Sequence, residues 1–203
     1  MARMGFGAVV LWLLFSGLGT LIATYWAPSR FGQADADVVE YLESARTPTG
    51  ETVSLGMVLL ADTVTVVVLA ILIVTGLYLA LRRWAEPLFL AACVTGEMLI
   101  FTATTAVSPP TAGFPPGHIA AAICLYGGIA LLGGVLVRRR AYRRLLWTVA
   151  VVVPLLVAAG RLYRGMHFPS DVVASAILGV LWLTWMTRIY PLGKGAARAE
   201  TRA

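Results

Sequence analysis

Long uninterrupted runs of apolar residues, separated by short polar segments, dominate this chain. Six runs reach the length of about 20 residues that an α-helix needs to cross the hydrocarbon core of a bilayer. They cover residues 5–25, 54–81, 85–107, 118–137, 145–164 and 169–189. Because continuous runs of this length are typical of helices and not of alternating barrel strands, the pattern predicts an all-α bundle of six transmembrane helices. The second run is long enough to tilt or to protrude from the bilayer.

The first apolar run resembles a secretory signal peptide in its position but not in its details. Only Arg3 precedes it, the run is longer than the apolar part of such peptides, and no small-x-small cleavage site closes it. We therefore interpret it as a retained first helix.

The composition supports a membrane protein. Of 203 residues, 59% are hydrophobic and 13% are charged, whereas charged residues make up about 25% of a typical globular domain. We predict a single polytopic membrane domain over residues 1–203.

Basic residues are distributed unevenly between the segments, which predicts the orientation. If successive helices alternate in direction, 12 of the 16 Lys and Arg residues fall on one side: Arg3, Arg82, Arg83, Arg138, Arg139, Arg140, Arg143, Arg144, Arg188, Lys194, Arg198 and Arg202. The positive-inside rule then places both termini in the cytoplasm. Residues 27–52 become an extracytoplasmic loop and residues 191–203 a disordered cytoplasmic tail. The net charge of +6 thus reflects topology, and we predict no nucleic-acid partner.

The loop of residues 27–52 has an amphipathic centre. Its acidic positions, Asp35, Asp37, Glu40 and Glu43, are interleaved with Val38, Val39, Tyr41 and Leu42. This pattern predicts a short helix on the membrane surface, closed by Pro48 and Gly50 before the second span. It is either a solvated connector or a lid beside a site.

The candidate chemistry lies at the ends of apolar runs. The chain has two histidines, and ionisable residues in membrane segments are usually functional. His167 and Asp171 are four residues apart, with Pro169 at a first helical turn, so both side chains share one helix face. A carboxylate there can fix the tautomer of an imidazole and leave the opposite nitrogen free to attack or to accept a proton.

Neighbouring groups favour a phosphate. Arg161 and Arg164 supply guanidinium groups suited to phosphate oxygens. Gly117 and His118 begin a helix whose N-terminus adds backbone N–H donors, and His118 is a candidate general acid. Two His and one Asp are also zinc ligands, but a zinc site does not need the arginines. We predict phosphoryl transfer without a metal or another cofactor.

These residues carry a resemblance to a known family. Arg161-x5-His167-x3-Asp171 resembles the third signature of the type 2 phosphatidic acid phosphatase (PAP2) superfamily, and Pro115-Pro116-Gly117-His118 resembles its second signature, Pro-Ser-Gly-His. The six spans agree with that family along most of the chain.

The resemblance implies specific roles. His167 is then the nucleophile of a phosphohistidine mechanism, Asp171 its orienting partner and His118 the acid for the leaving group. Arg161 and the Gly117–His118 backbone hold the phosphate, with Arg164 as an additional cation. The implied protein is an integral protein of the cytoplasmic membrane with an extracytoplasmic active site. Its implied partners are the bilayer and a phosphorylated lipid, of the isoprenyl phosphate, isoprenyl diphosphate or phosphatidic acid type; a homodimer is an open alternative.

The chain departs from the family pattern at three places. The first signature, Lys-x6-Arg-Pro, supplies two cations, whereas residues 101–110 contain no charge. Pro116 and Gly160 stand where serine is usual. Since losing one positioned donor to a developing anion typically costs 10²–10³-fold in rate, two functions stay open. The first is an active lipid phosphatase, and the second is a relative that binds a lipid phosphate or a partner protein without turnover. A transporter or channel is the third alternative.

Four further residues fall inside the spans. Cys93 and Cys124 are interpreted as small core residues, with no disulfide or metal framework. Asp62 and Glu97 are costly in a membrane, at about 2.5 kcal/mol or more each. Either they share a proton or bond to nearby threonines, or they form a proton relay or contact the substrate.

Overall fold

The computed structural model describes residues 2–107, 117–190 and 192. These residues form eight α-helices and contain no strand. Their bounds are Ala2–Leu21 (α1, continued by a π-helical turn over Ile22–Trp26), Arg30–Ser44 (α2), Pro48–Leu59 (α3), Thr63–Leu81 (α4), Ala85–Val107 (α5), Gly117–Leu136 (α6), Arg140–Tyr163 (α7) and Pro169–Ile189 (α8). Six segments are long and apolar enough to cross a membrane, as predicted. The predicted tail of residues 191–203 lies outside the described residues except for Leu192.

The second membrane segment, Pro48–Leu81, is broken in the middle. Helix α3 ends at Leu59 and α4 begins at Thr63. The side chain of Asp62 caps α4 by accepting the N–H of Val64 at 3.2 Å, and the Tyr126 hydroxyl donates to the Leu60 carbonyl at 2.8 Å. The membrane span predicted over 54–81 is present within Pro48–Leu81, but it consists of two helices and not one. Hydropathy does not register a short break whose polar groups are satisfied by Asp62 and Tyr126.

The segment of residues 27–52 contains the predicted short helix, α2. Ser29 caps α2 by accepting the N–H groups of Phe31 and Gly32, and no residue of α2 is buried. Pro48 was predicted to close this segment. Instead it occupies the first turn of α3, whose N-cap is Thr47, since proline needs no amide partner at that position.

Helix α6 lies at the centre of the bundle and packs against α4, α5, α7 and α8. Cys93 and Cys124 are both buried and free, which confirms their interpretation as core residues. The Trp182 indole is fully buried and donates to the Cys93 carbonyl at 2.9 Å, so α8 is fixed against α5.

The bundle has two ends with different chemistry. At one end, Trp185 of α8 donates to the Arg3 carbonyl at 3.2 Å. Helix α7 also begins there, at Arg140, five residues earlier than predicted. We call this the basic end. At the opposite end, α6 and α8 begin and α7 terminates, and this end, called the site end below, carries His118, Arg161 and His167.

Candidate active site

The connection between α7 and α8 brings Arg161 and His167 together. The Gly165 N–H donates to the Leu162 carbonyl at 2.9 Å and the Met166 N–H to the Arg161 carbonyl at 3.0 Å. This pair of bonds is a Schellman motif, and Gly165 adopts the positive φ of 64° that the motif needs. The chain therefore reverses within one turn and His167 returns to the end of α7.

Arg161 contacts the predicted nucleophile directly. Its Nη1 lies 3.1 Å from Nε2 of His167. Because a guanidinium only donates, Nε2 is the acceptor and carries a lone pair in this arrangement. Arg161 is 5% exposed and His167 is 9% exposed.

The Arg161 guanidinium has unused donor capacity. Its buried Nε has no hydrogen-bond partner, and neither of the two ion pairs in the described part of the chain includes Arg161. A buried cation that forms no ion pair is costly. The site is thus suited to an anion beside His167.

Asp171 is buried in the first turn of α8. Its Oδ2 accepts the backbone N–H of Phe168 at 3.1 Å, so the carboxylate caps the helix that follows His167. His167 and Asp171 were predicted to share one helix face. Asp171 does lie on α8, but His167 precedes this helix, which begins at Pro169.

His118 lies in the first turn of α6, near enough to Arg161 for their charges to interact. The N–H of Ala120 donates to the buried Ser175 hydroxyl at 3.0 Å, which ties the first turn of α6 to α8. Gly117 is required by packing, since a Cβ there would lie 2.7 Å from the Phe101 ring. His118 itself is half-buried. The residues Phe114–Pro116 that precede it lie outside the described residues, as do Ser108–Pro110 of the altered first signature.

Arg164 is engaged elsewhere. Its Nη1 donates to the Glu51 carbonyl of α3 at 3.3 Å. Arg46 donates to the Tyr163 carbonyl at 3.1 Å, and the Tyr163 hydroxyl accepts the N–H of Thr47 at 2.9 Å. These hydrogen bonds connect the α7–α8 turn to the beginning of α3, and Arg164 contributes one of them in this structure.

Packing of α3 also accounts for Gly160. A Cβ at this position would lie 2.9 Å from Cβ of Met57 and 3.0 Å from the Ser54 carbonyl oxygen. Glycine therefore lets α3 approach the end of α7 more closely than serine would.

Two acidic residues lie near His118. Asp62, in the α3–α4 break, is close enough to interact electrostatically with His118 and Arg161. Glu97 of α5 is 1% exposed and lines a cavity of about 40 Å³ together with His118. One interpretation expected these two residues to share a proton or to accept hydrogen bonds from threonines. In the described part of the chain, Asp62 instead caps α4, and both Glu97 oxygens lack a hydrogen-bond partner. A polar residue before a threonine inside an apolar run was the available signal for the break at Asp62.

An apolar groove runs from the site end along α6, α7 and α8. Its volume is about 520 Å³, and its lining includes Ile119, Ala158 and Val172 at the site end and Trp147 and Thr187 towards the basic end. Ile119 and Val172 are the chain neighbours of His118 and Asp171. Within the described ranges, no three His, Cys, Asp or Glu side chains converge as metal ligands would.

A family model described as the PAP2 superfamily matches residues 59–193. The chain belongs to the PAP2 superfamily. The match extends over α4 to α8 and so includes both histidines. No curated protein sequence matches this PAP2 chain at a significant level.

A solved structure resembles this PAP2 chain over nearly its whole length. It is the crystal structure of the first transmembrane PAP2 type phosphatidylglycerolphosphate phosphatase from Bacillus subtilis. The two share 23% sequence identity with a TM-score of 0.73, and the alignment covers 91% of this chain and 96% of the other. At this identity the likeness shows a shared fold.

Proposed function

We propose that this protein is a lipid phosphatase that works through a phosphohistidine at His167. The observation that carries the proposal is the buried Arg161, which touches Nε2 of His167 and forms no ion pair in the described part of the chain. Membership of the PAP2 superfamily and a fold shared with a phosphatidylglycerolphosphate phosphatase support it.

In the first step, the lone pair of His167 Nε2 attacks the phosphorus of the lipid phosphate. The bond between phosphorus and the lipid oxygen breaks, and His118 gives its proton to that oxygen. Arg161 moves from Nε2 to the phosphoryl oxygens, where charge accumulates. Asp171 stabilises the positive charge that the His167 imidazole gains when Nε2 bonds to phosphorus. The products are the lipid alcohol, or the monophosphate if a diphosphate is cleaved, and phosphohistidine.

In the second step, water attacks the phosphohistidine. His118, now neutral, takes a proton from that water, and Nε2 of His167 leaves with the electron pair. Inorganic phosphate departs and both histidines return to their initial state, so no cofactor is consumed.

A reduced set of cations distinguishes this site from the family pattern. Arg161 is its central cation, supported by the backbone N–H groups of Gly117 and His118, which begin α6 and have no acceptor within the helix. Arg164 adds charge at the rim while it bonds to α3. The charge-free α5 end over Phe101–Val107 favours a second candidate function, which is binding of a lipid phosphate without turnover.

The substrate's hydrocarbon chain fits the apolar groove. From Val172 to Thr187 the groove follows 15 residues of α8, which is about 22 Å at 1.5 Å per residue and exceeds one leaflet of a hydrocarbon core about 30 Å thick. A membrane lipid can therefore place its phosphate at His167 while its chain stays in the bilayer. By the positive-inside rule the basic end is cytoplasmic, so the site faces the extracytoplasmic side.

Phosphate release by the purified protein tests the function. The substrates are an isoprenyl monophosphate, an isoprenyl diphosphate, phosphatidic acid and phosphatidylglycerolphosphate, each in detergent micelles. We expect turnover of at least one, and loss of about 10³-fold or more in H167A, whereas S170A on the same turn retains activity. Equal, near-background rates for the wild type and H167A, with lipid phosphate still bound, would favour the binding function.

A further inference from the structure

Glu97 is the most unusual buried group in the described part of the chain. It lies in the middle of α5, is 1% exposed, and neither carboxyl oxygen has a hydrogen-bond partner there. Nearby hydroxyls do not satisfy it, since Thr95 and Thr102 donate to the carbonyls of Ala91 and Met98 in their own helix. An unsatisfied buried carboxyl typically costs several kcal/mol, so its retention needs a reason.

The cavity beside Glu97 leads to His118. Ala61 and Thr63 of the α3–α4 break, Phe101 of α5 and Gly117 and His118 of α6 contribute to its wall. Its volume of about 40 Å³ exceeds the 10–15 Å³ that one water molecule requires. The polar side chains in this wall are the carboxyl of Glu97, the imidazole of His118 and the hydroxyl of Thr63, so a water held there has polar neighbours on more than one side.

We propose that Glu97 is a positioning residue for His118, acting through a water molecule in this cavity. The His118 ring nitrogen that faces the cavity donates to the water, and the water donates to a carboxyl oxygen of Glu97. The opposite nitrogen is thereby fixed as the one that gives its proton to the leaving oxygen. No proton crosses the cavity during this transfer.

The effect of Glu97 on the reaction rate rests on the proposed function, in which His118 is the general acid. An acid matters most when the leaving group is poor. The ratio kcat/KM covers the steps up to leaving-group departure, so it isolates the step in which His118 donates. We expect E97L to lower kcat/KM about 10–100-fold for a lipid monophosphate, whose alcohol is a poor leaving group without protonation. For p-nitrophenyl phosphate, whose phenolate is a good leaving group, we expect a loss of less than about threefold. E97Q, whose amide oxygen still accepts from water, falls between E97L and the wild type.

A second measurement does not need turnover. Diethylpyrocarbonate acylates only neutral imidazole, and the chain's two histidines are distinguished by mass spectrometry of their peptides. We expect the pH at which His118 is half-modified to be about one unit lower in E97L than in the wild type, because the water-mediated hydrogen bond that favours the protonated imidazole is lost. Arg161 and Asp62, whose charges also act on His118, are unchanged between the two proteins. T95V, on the membrane-facing side of α5, is the matched control and leaves this pH unchanged.

The outcomes test the role of Glu97 and the proposed phosphatase function separately. Equal losses for both substrates in E97L, or an unchanged modification pH for His118, would overturn the role of Glu97. If the wild type releases no phosphate from any substrate, the proposed function fails, while the modification pH still decides the role of Glu97. If E97L does not fold, the near-isosteric E97Q carries both measurements, with a smaller expected effect in the same direction.

Discussion

At the scale of single residues, the site depends on one reversal of the chain. Gly165 takes a positive φ of 64°, which closes a Schellman motif and returns His167 to Arg161. The sequence motif predicted that these residues act together, since their types and spacing match phosphate chemistry. It did not predict that Arg161 donates to Nε2 of His167, because that contact depends on the backbone turn. Arg164 is a second example of a contact that the sequence did not predict. Its charge suggested that it binds phosphate, but α3 lies close enough for Arg164 to donate to the Glu51 carbonyl instead.

Arg161 is predicted to stabilise the transition state through the paired N–H donors of its planar guanidinium group. R161A should lower kcat/KM for the lipid phosphate by 10²–10³-fold, which corresponds to about 2.7–4 kcal/mol. R161K keeps the charge but loses the paired donors, so it should recover only part of that loss. The check is steady-state kinetics with binding of vanadate, a phosphate mimic, measured in parallel. Wild-type rates in R161A would exclude a role for this arginine in phosphate binding.

At the scale of helices, the break between α3 and α4 is the feature that periodicity missed. Hydropathy predicts an apolar segment, and Pro48–Leu81 is one. The break depends on partners remote in sequence, such as the Tyr126 hydroxyl on the Leu60 carbonyl. Because of the break, Asp62 and the end of α3 lie beside α6 and α7 instead of passing the site in a continuous helix.

Two substitutions at Asp62 separate its cap from its charge. D62A removes the cap and should lower the free energy of unfolding by about 1 kcal/mol, whereas D62N keeps an N-cap acceptor and should cost less. D62N also removes a negative charge near Arg161 and His118, so vanadate should bind more tightly than to the wild type, by a few fold. Thermal unfolding in detergent and vanadate titration provide the two readouts. If D62A and D62N bind vanadate no better than the wild type, Asp62 does not act electrostatically on the site.

At the scale of the whole molecule, the sequence predicted the helical architecture but not the groove that leads to the site. Six apolar runs and the uneven distribution of Arg and Lys define a helical bundle with a basic end and a site end, and the bundle is present. The groove along α6, α7 and α8 was not predicted, because it results from the packing of three helices whose individual patterns are all simply apolar. It connects the site end to the membrane-facing side of the bundle.

Filling the groove should discriminate substrates by chain length. Ala176 of α8 lines the groove. A176F places a ring there and should raise KM for a long-chain lipid phosphate by about 10-fold, since a lost hydrophobic contact of this size is worth about 1–3 kcal/mol. A water-soluble short-chain phosphate should be unaffected. V173F, on the exposed face of the same helix, is the matched control. Equal effects of A176F on both substrates would mean that the hydrocarbon chain lies elsewhere.

The central claim is that His167 becomes phosphorylated during turnover, and trapping the intermediate tests it most directly. Purified protein is mixed with lipid phosphate labelled in its phosphoryl group, stopped under alkaline conditions that preserve phosphohistidine, and digested for peptide mapping. The account predicts label on the peptide that contains His167, formed at the rate of lipid alcohol release and absent in H167A. Phosphate release without labelled protein, or label that persists in H167A, would contradict it.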